Sequence, residues 1–341
     1  MRLRHEPLEL ETTFEFRIAV GSSLGHANTL VRIEHDGIEG LGEAAPSNYY
    51  GESRPLVEAA LAEWAPCLGG DPFALEAIEQ RMHATMRGNG AAHAAIEMAL
   101  HDWIVRRLGL PVWRLLGLDR TRTPLSCVTL GMAGPEEMER KLQTVIEFPM
   151  LKVKLGAPGD VENLRRIRRD YRGRIRVDAN TAWSAADAVR VLRLIEPLEI
   201  DLVEQPVARH DLDGLRWVRE RSPIPVFADE SCHHLGDIAN LAGRVDGVNF
   251  KLMKTGGIRE MLRMIHAARS HGMQVMLGSM VESSLALSAA AQLAPLADFL
   301  DLDGHWLLRQ DPFAGAPGER GRITLSDRPG LGVVPAGAAV A

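Results

Sequence analysis

The sequence predicts an α/β protein in which a parallel barrel of alternating strands and helices follows a smaller α+β domain. Two features carry this. From about residue 122, short apolar runs of strand length alternate with amphipathic helical stretches, eight of the former separated by seven of the latter. Before that point strands come first and helices after, which is the grammar of a separate α+β unit. A length of 341 residues accommodates two domains or one large barrel with additions. The apolar fraction of 46% and charged fraction of 25% are those of an ordinary globular chain with a sizeable core.

Taken in order, strands are expected over residues 13–20, 29–35 and 38–43, with Asp36-Gly37 as a hairpin turn signal. Gly21-Ser22-Ser23-Leu24-Gly25 reads as a glycine-bounded loop, either a lid or a plain hairpin connection. Asn48-Tyr49-Tyr50-Gly51 is a second, polar and aromatic loop. Helices follow over about 54–65, from Asp71 as N-cap with Pro72 at the first helical position, and over about 91–107, stopping at Gly109 before Pro111. Barrel strands fall at 125–130, 150–155, 175–178, 200–204, 226–228, 247–252, 274–277 and 299–302. The helices between them fall at 135–147, 160–171, 184–195, 212–221, 235–242, 258–271 and 283–293, and an eighth helix is not evident. A doubly wound open sheet competes with the barrel, but no Gly-x-Gly-x-x-Gly follows a first strand. The Gly- and Pro-rich tail from Asp311 onward is expected to pack partly on the N-terminal domain. The expected division is therefore 1–120 (α+β capping domain with lid loops), 121–310 (barrel) and 311–341 (a segment returning to the capping domain).

A net charge of −6 argues against nucleic acid or an anionic membrane surface as the main partner. Arg165, Arg166, Arg168 and Arg169 cluster at a spacing that fits the outer face of a helix. Cys67, Cys127 and Cys232 are far apart and form no Cys-x-x-Cys, so neither a disulfide framework nor a zinc–thiolate site is expected. The first residues carry no apolar leader, and no apolar run approaches about 18 residues. A reducing cytoplasm is the expected location, and association of the chain with itself stays open.

The strand ends carry the chemistry. Lys152 and Lys154 lie two apart within an apolar strand and so share a face. Two ammonium groups in one low-dielectric interior disfavour each other's protonation, which is one way to make a general base. These residues also fit an amphipathic edge strand with two solvated lysines. The next three strands end in Asp178, Glu204 and Asp229, one βα unit apart at each step. Carboxylates converging at a barrel mouth repel one another unless a cation neutralises them, and hard oxygen ligands with room for water suit Mg²⁺ over zinc. The sixth strand ends in Lys251-Leu252-Met253-Lys254-Thr255-Gly256-Gly257, opposite the Lys-x-Lys strand in a closed ring. The eighth ends in Asp301-Leu302-Asp303-Gly304, another pair on one face, whose plain role is to cap the segment that follows.

Lys152-Val153-Lys154, Asp178, Glu204, Asp229 and the Lys251–Gly257 segment, in this order, resemble the enolase superfamily, muconate-lactonizing subgroup. Asp301-Leu302-Asp303-Gly304 resembles the dipeptide epimerases, the L-Ala-D/L-Glu epimerase family. The resemblance spans essentially the whole chain. It implies a modified (β/α)7β barrel of the TIM type, Mg²⁺ held by Asp178, Glu204 and Asp229, and proton transfer by Lys154 and Lys251. It makes Lys152 the neighbour that lowers the pKa of Lys154, and sets Lys251 ahead of Lys254 as the second base. It gives Asp301 and Asp303 the α-ammonium of a dipeptide. The glutamate-specific members share an arginine on the first lid loop; residues 20–26 hold none and Arg17 lies upstream, so a less acidic second residue is expected. The implied reaction is epimerisation through an enediolate, a lysine or histidine base beside Mg²⁺ being general to the superfamily. Cycloisomerisation, o-succinylbenzoate formation and N-acylamino-acid racemisation use the same intermediate but lack a free α-ammonium. A metal-stabilised barrel that only binds ligands is the reading from another class, and buried lysines without a task count against it.

Overall fold

The computed structural model describes residues 1–19 and 21–338. Val20, at the end of the first expected strand and the start of the lid stretch, and residues 339–341 of the tail lie outside the described residues. The chain opens with β1 (Arg2–Ile18), β2 (Gly21–His35) and β3 (Ile38–Ala44), an antiparallel sheet in that order. Leu8, Leu10 and Thr12 of β1 are buried while Glu9 and Glu11 are exposed, the alternation of a half-covered strand. β1 therefore begins well before the expected residue 13. Asp36 and Gly37 both have positive φ (46° and 73°), as the tight turn between β2 and β3 requires. The stretch from Gly21 to Gly25 is strand and not a loop: Ile18 pairs with Gly21 and Phe16 with Ser23, after a register break between Glu11 and Phe16. The stretch expected as a lid or a connection is thus a paired arm of the sheet.

Helices α1 (Arg54–Trp64), α2 (Leu75–Thr85), α3 (Gly90–Leu108) and α4 (Val112–Leu115) follow. Asp71 does not cap α2. Its carboxylate accepts Phe73 N at 2.9 Å and its carbonyl accepts Ala74 N at 3.2 Å, so Asp71-Pro72 closes a turn before the helix. α3 begins behind Asn89, whose side chain accepts Ala92 N, and ends at Gly109 with φ 74°. Its alanines lie against β3 so closely that a Cβ on Gly40 or Gly42 would collide with the carbonyls of Ala99 and Ala95.

The rest alternates as β4 (Val128–Leu130), α5 (Pro135–Val145), β5 (Met150–Lys154), α6 (Asp160–Asp170), β6 (Arg174–Asp178), α7 (Ala185–Ile195), β7 (Ile200–Glu204), α8 (Leu212–Arg219), β8 (Val226–Ala228) and α9 (Leu235–Leu241). It continues with β9 (Gly247–Lys251), α10 (Leu252–Thr255), α11 (Ile258–Ser270), β10 (Gln274–Gly278), α12 (Ser284–Ala291) and β11 (Phe299–Asp301). β4 to β11 form one parallel sheet of eight strands in sequence order, and Ser126 bridges to Leu300 to bring its two edges together. The short α13 (Gly304–Leu307) stands where an eighth barrel helix would. The hairpin of β12 (Phe313–Ala314) and β13 (Val334–Pro335) ends the described chain. The tail returns to the N-terminal helices: Asp102 Oδ1 accepts Leu331 N at 2.9 Å, and Trp113 Nε1 donates to Ser326 O at 2.9 Å. No helix among the described residues is long and apolar enough to cross a membrane.

α3 is latched to the barrel by one carboxylate. Glu97 accepts Ile258 N at 2.5 Å and Arg259 N at 2.9 Å, capping α11 from another element, while His101 Nδ1 lies 3.2 Å from its Oε1. Burial opposes both charges, but the pairing wins: Glu97 is held below its usual 4.5 and His101 above its usual 6.5. The depressed acid contributes stability above about pH 4.5, and the raised histidine contributes below about pH 6.5 and loses its share as pH rises through its folded value. Glu97→Gln should therefore destabilise by about 3–5 kcal/mol, more at pH 6 than at pH 8.5. Urea unfolding at the two pH values checks this, and an equal difference at both would sink the charge pair as the cause.

Candidate active site

Strand register builds the site. Lys154 pairs with Asp178 and Asp178 with Glu204, so the ends of β5, β6 and β7 form one row. Lys251 pairs with Gly278 and Gly278 with Asp301, a second row from β9, β10 and β11. Gly278 is required between them, since a Cβ there would sit 2.7 Å from Asn249 Oδ1. Asp229 follows β8 by one residue and is placed by Gln205, whose Oε1 accepts Asp229 N at 3.0 Å and Ser231 N at 3.1 Å. Asn249 Nδ2 donates to Glu204 Oε1 at 2.8 Å.

Asp178, Glu204 and Asp229 are fully buried, and one oxygen of each lies within 4.8 Å of the others. Burial and the charges of Asp178, Asp229 and Asp301 push Glu204 up to about 8, while nearby lysines hold Asp178 and Asp229 below the ordinary range against their burial. Three anions at this spacing do not coexist without added positive charge. Glu204 Oε2 is buried and faces Lys152 Nζ at 2.7 Å without hydrogen-bond geometry. The donors are carboxylate oxygens with no imidazole or thiolate among them, which fits a hard divalent cation such as Mg²⁺.

Lysines flank this trio. Lys154 Nζ donates to Asp178 Oδ2 at 2.7 Å, and Lys251 Nζ donates to Asp229 Oδ2 at 2.8 Å from the other side. Both line a cavity of about 200 Å³ at the barrel mouth, together with Lys152, Asp229, Asp301 and Asp303. Lys254, on α10, points away from that cavity. Its ammonium donates to Asp229 Oδ1 at 2.5 Å, Asp229 O at 2.7 Å and Asn249 O at 2.9 Å, leaving no donor spare. At Lys152 the carboxylates nearby decide the balance. Burial works against the charge on Lys152, yet Asp301 at 2.6 Å, Glu204 at 2.7 Å and Asp178 at 3.0 Å hold it well above its ordinary value. Lys251 is raised too, by Asp229 against its own burial.

The aspartates after β11 are unequal. Asp301 is engaged on both oxygens, by Lys152 Nζ and by Cys127 Sγ at 3.1 Å, and is held down at about 2 despite burial. Asp303 occupies the N-cap position of α13 without capping it. Its Oδ2 instead accepts Thr129 N at 2.6 Å, and burial plus the charge of Asp301 raise it to about 6.

Several participants were not singled out by sequence. Glu230, raised to about 7 by burial and by Asp229, accepts Asn180 Nδ2 at 3.0 Å beside the trio. Its signal was adjacency to Asp229. The roof comes from the N-terminal domain, with Phe16 and Ile18 of the lid arm, His26, Tyr49 and Tyr50, opposite Met280 and Val281. Burial lowers the pKa of His26 below its usual 6.5.

Residues 6–117 match the N-terminal domain of the mandelate racemase / muconate lactonizing enzyme family, and residues 136–339 match its partner, the enolase C-terminal domain-like family. The chain is 39% identical to the L-Ala-D/L-Glu epimerase of Bacteroides thetaiotaomicron, over 98% of this chain and 88% of that protein. It is 35% identical to a hydrophobic dipeptide epimerase of a Flavobacteria bacterium (strain MS024-2A), over 97% of each. Among solved structures it superposes with a TM-score of 0.92, at 31% identity and over 97% and 98% of the two chains, on a dipeptide epimerase from Enterococcus faecalis V583 complexed with Mg and the dipeptide L-Leu-L-Tyr.

Proposed function

Since the chain belongs to the mandelate racemase / muconate lactonizing enzyme family, with an enolase-like C-terminal domain, we propose that it is a Mg²⁺-dependent dipeptide epimerase. The observation that carries this is the pair Lys154 and Lys251, flanking three buried carboxylates, with Asp303 set further along the same cavity. That arrangement offers a base on each side of one carbon and an anion for a cation beyond it. Asp178, Glu204 and Asp229 would hold Mg²⁺, which would add positive charge where the carboxylates converge and lower the energy of the enediolate formed when the α-proton leaves. Lys154 and Lys251 would serve the two faces of the second residue's α-carbon, one neutral and taking the proton, the other charged and returning one. Inversion follows because removal and return use opposite faces. Lys152, held charged by its carboxylates, would sit near the substrate's carboxylate end. Asp303, with Asp301 beside it, would take the α-ammonium. In this reading residues 1–120 roof the site, 121–310 carry the chemistry and the described part of 311–341 ties the barrel back to the roof, in a cytoplasmic enzyme.

The second residue would be uncharged and apolar. Among the described residues, the lid arginine Arg17 is paired with Glu15 at 2.8 Å, and Arg54 is committed to Glu9 and to Asn28 O. Burial works against a charge on His26, and Tyr49, Tyr50, Phe16 and Ile18 offer apolar surface.

The test is mass-spectrometric: incubation of a dipeptide panel in D₂O, followed by α-deuteration of the second residue. Exchange should be abolished by EDTA and restored by Mg²⁺. Full exchange in metal-free enzyme would remove the metal from the mechanism, and no exchange with any dipeptide or other carboxylate substrate would favour the binding-module reading.

A further inference from the structure

A second cavity, of about 340 Å³, adjoins the reaction site and has no part in the chemistry above. The two share Phe16, Thr129 and Leu307 in their walls. Thr129 is also the residue whose backbone N–H binds Asp303 at 2.6 Å, so the second cavity begins where the α-ammonium is placed. Its far walls are Val145 at the end of α5, Phe148 just after it, Trp306 on α13, and Phe14 where β1 loses register with β2. Phe148 and Trp306 meet edge to face with ring centres 5.1 Å apart. Phe14 is 41% exposed, an unusual degree for an aromatic ring packed into a sheet.

The charges in these walls are already matched. Lys141 is buried, with Nζ 2.8 Å from Glu137 and over the Phe14 ring at 5.8 Å. Glu15 is paired with Arg17 and Ser22. A charged occupant would find no partner, while a ring or branched chain would find aromatic surface.

The geometry points to this cavity as the subsite for the side chain of the dipeptide's first residue, selecting an uncharged aromatic or branched aliphatic group. The inference rests on the epimerase reading. That first α-carbon carries an ammonium at Asp303 and a carbonyl leading back toward Lys154 and Lys251. Its side chain leaves from the same point, and the cavity bordered there by Thr129 and Leu307 is the adjoining space.

The experiment compares kcat/KM for a series with one fixed apolar second residue and Ala, Leu, Phe, Lys or Glu first. Leu- and Phe-first substrates should exceed Ala-first by about 10–200-fold, the range that buried methylenes give, with Lys and Glu below Ala. Val145→Trp, which fills the cavity, should erase that advantage and leave the Ala-first rate unchanged, a rate that also reports correct folding. Phe148→Ala, which opens a wall, should lower the Phe-first rate selectively. A wild-type enzyme indifferent to the first residue, or preferring Lys or Glu, would overturn the subsite, as would variants that lower all substrates equally. Failure of the epimerase reading looks different: no turnover of any member, Ala-first included.

Discussion

Lys251→Ala should lower epimerisation by about 10³–10⁴, the upper range for a positioned acid–base group, while leaving α-deuteration of one epimer in place. Lys154→Ala should do the same for the other epimer. With one base gone, the remaining lysine still removes and returns a proton on its own face, so exchange survives without inversion. The geometry separates Lys251 from Lys254 here. Lys251 donates to one oxygen of Asp229 and lines the cavity, whereas all three protons of Lys254 are taken by Asp229 and Asn249. Chiral chromatography with mass detection reads both quantities in D₂O. A Lys251→Ala enzyme that still interconverts the epimers would reassign the base to Lys254.

The barrel and its catalytic rim were legible in the sequence because of how parallel strands end. Each βα unit brings a strand's C-terminal end to the same mouth, so Asp178, Glu204 and Asp229, one unit apart, had to converge. Register then aligned Lys154 with Asp178 and Asp178 with Glu204. What escaped was the local and the long-range. β1 starts at Arg2 because Arg4 pairs with Glu34, and Arg32 with Glu6 and Glu39, across strands; along the chain these charges look like loop. Gly21 to Gly25 is strand because it has Phe16 to Ile18 to pair with, a fact of register and not of composition. α10 is a single turn, Leu252–Thr255, too short for a periodicity to register.

The carboxylate cage around Lys152 escaped for a related reason. Sequence spacing revealed that Lys152 and Lys154 share a face, which implies repulsion. It did not reveal that Asp301, Glu204 and Asp178 would stand 2.6–3.0 Å from Lys152. At such distances attraction exceeds the lysine–lysine term, since Coulomb energy falls inversely with separation. Asn249 and Gln205 escaped because their function is to place Glu204 and Asp229, and only the folded register makes them neighbours.

N-acetylating the best dipeptide should lower kcat/KM by about 10²–10⁴. The free amine carries the cation that Asp303 is positioned to meet, and its loss leaves a buried carboxylate with only neutral partners such as Thr129 N. Asp301 does not compensate, being already matched by Lys152. The same assignment sets a pH dependence. Burial and the charge of Asp301 raise Asp303 to about 6 in the free protein, so falling pH protonates it and removes the ammonium's partner. For a free-amine substrate kcat/KM should fall on the acid side with a limb near pH 6. Asp303→Asn should lack that limb and resemble the wild type acting on the acetylated substrate. A double comparison, two substrates by two enzymes across pH 5–8, isolates the term. Equal kcat/KM for free and acetylated dipeptides would remove the dipeptide reading and favour an N-acylamino-acid racemase. The two lysines and the three carboxylates would keep their assignments in either case, because none of them touches the amino end.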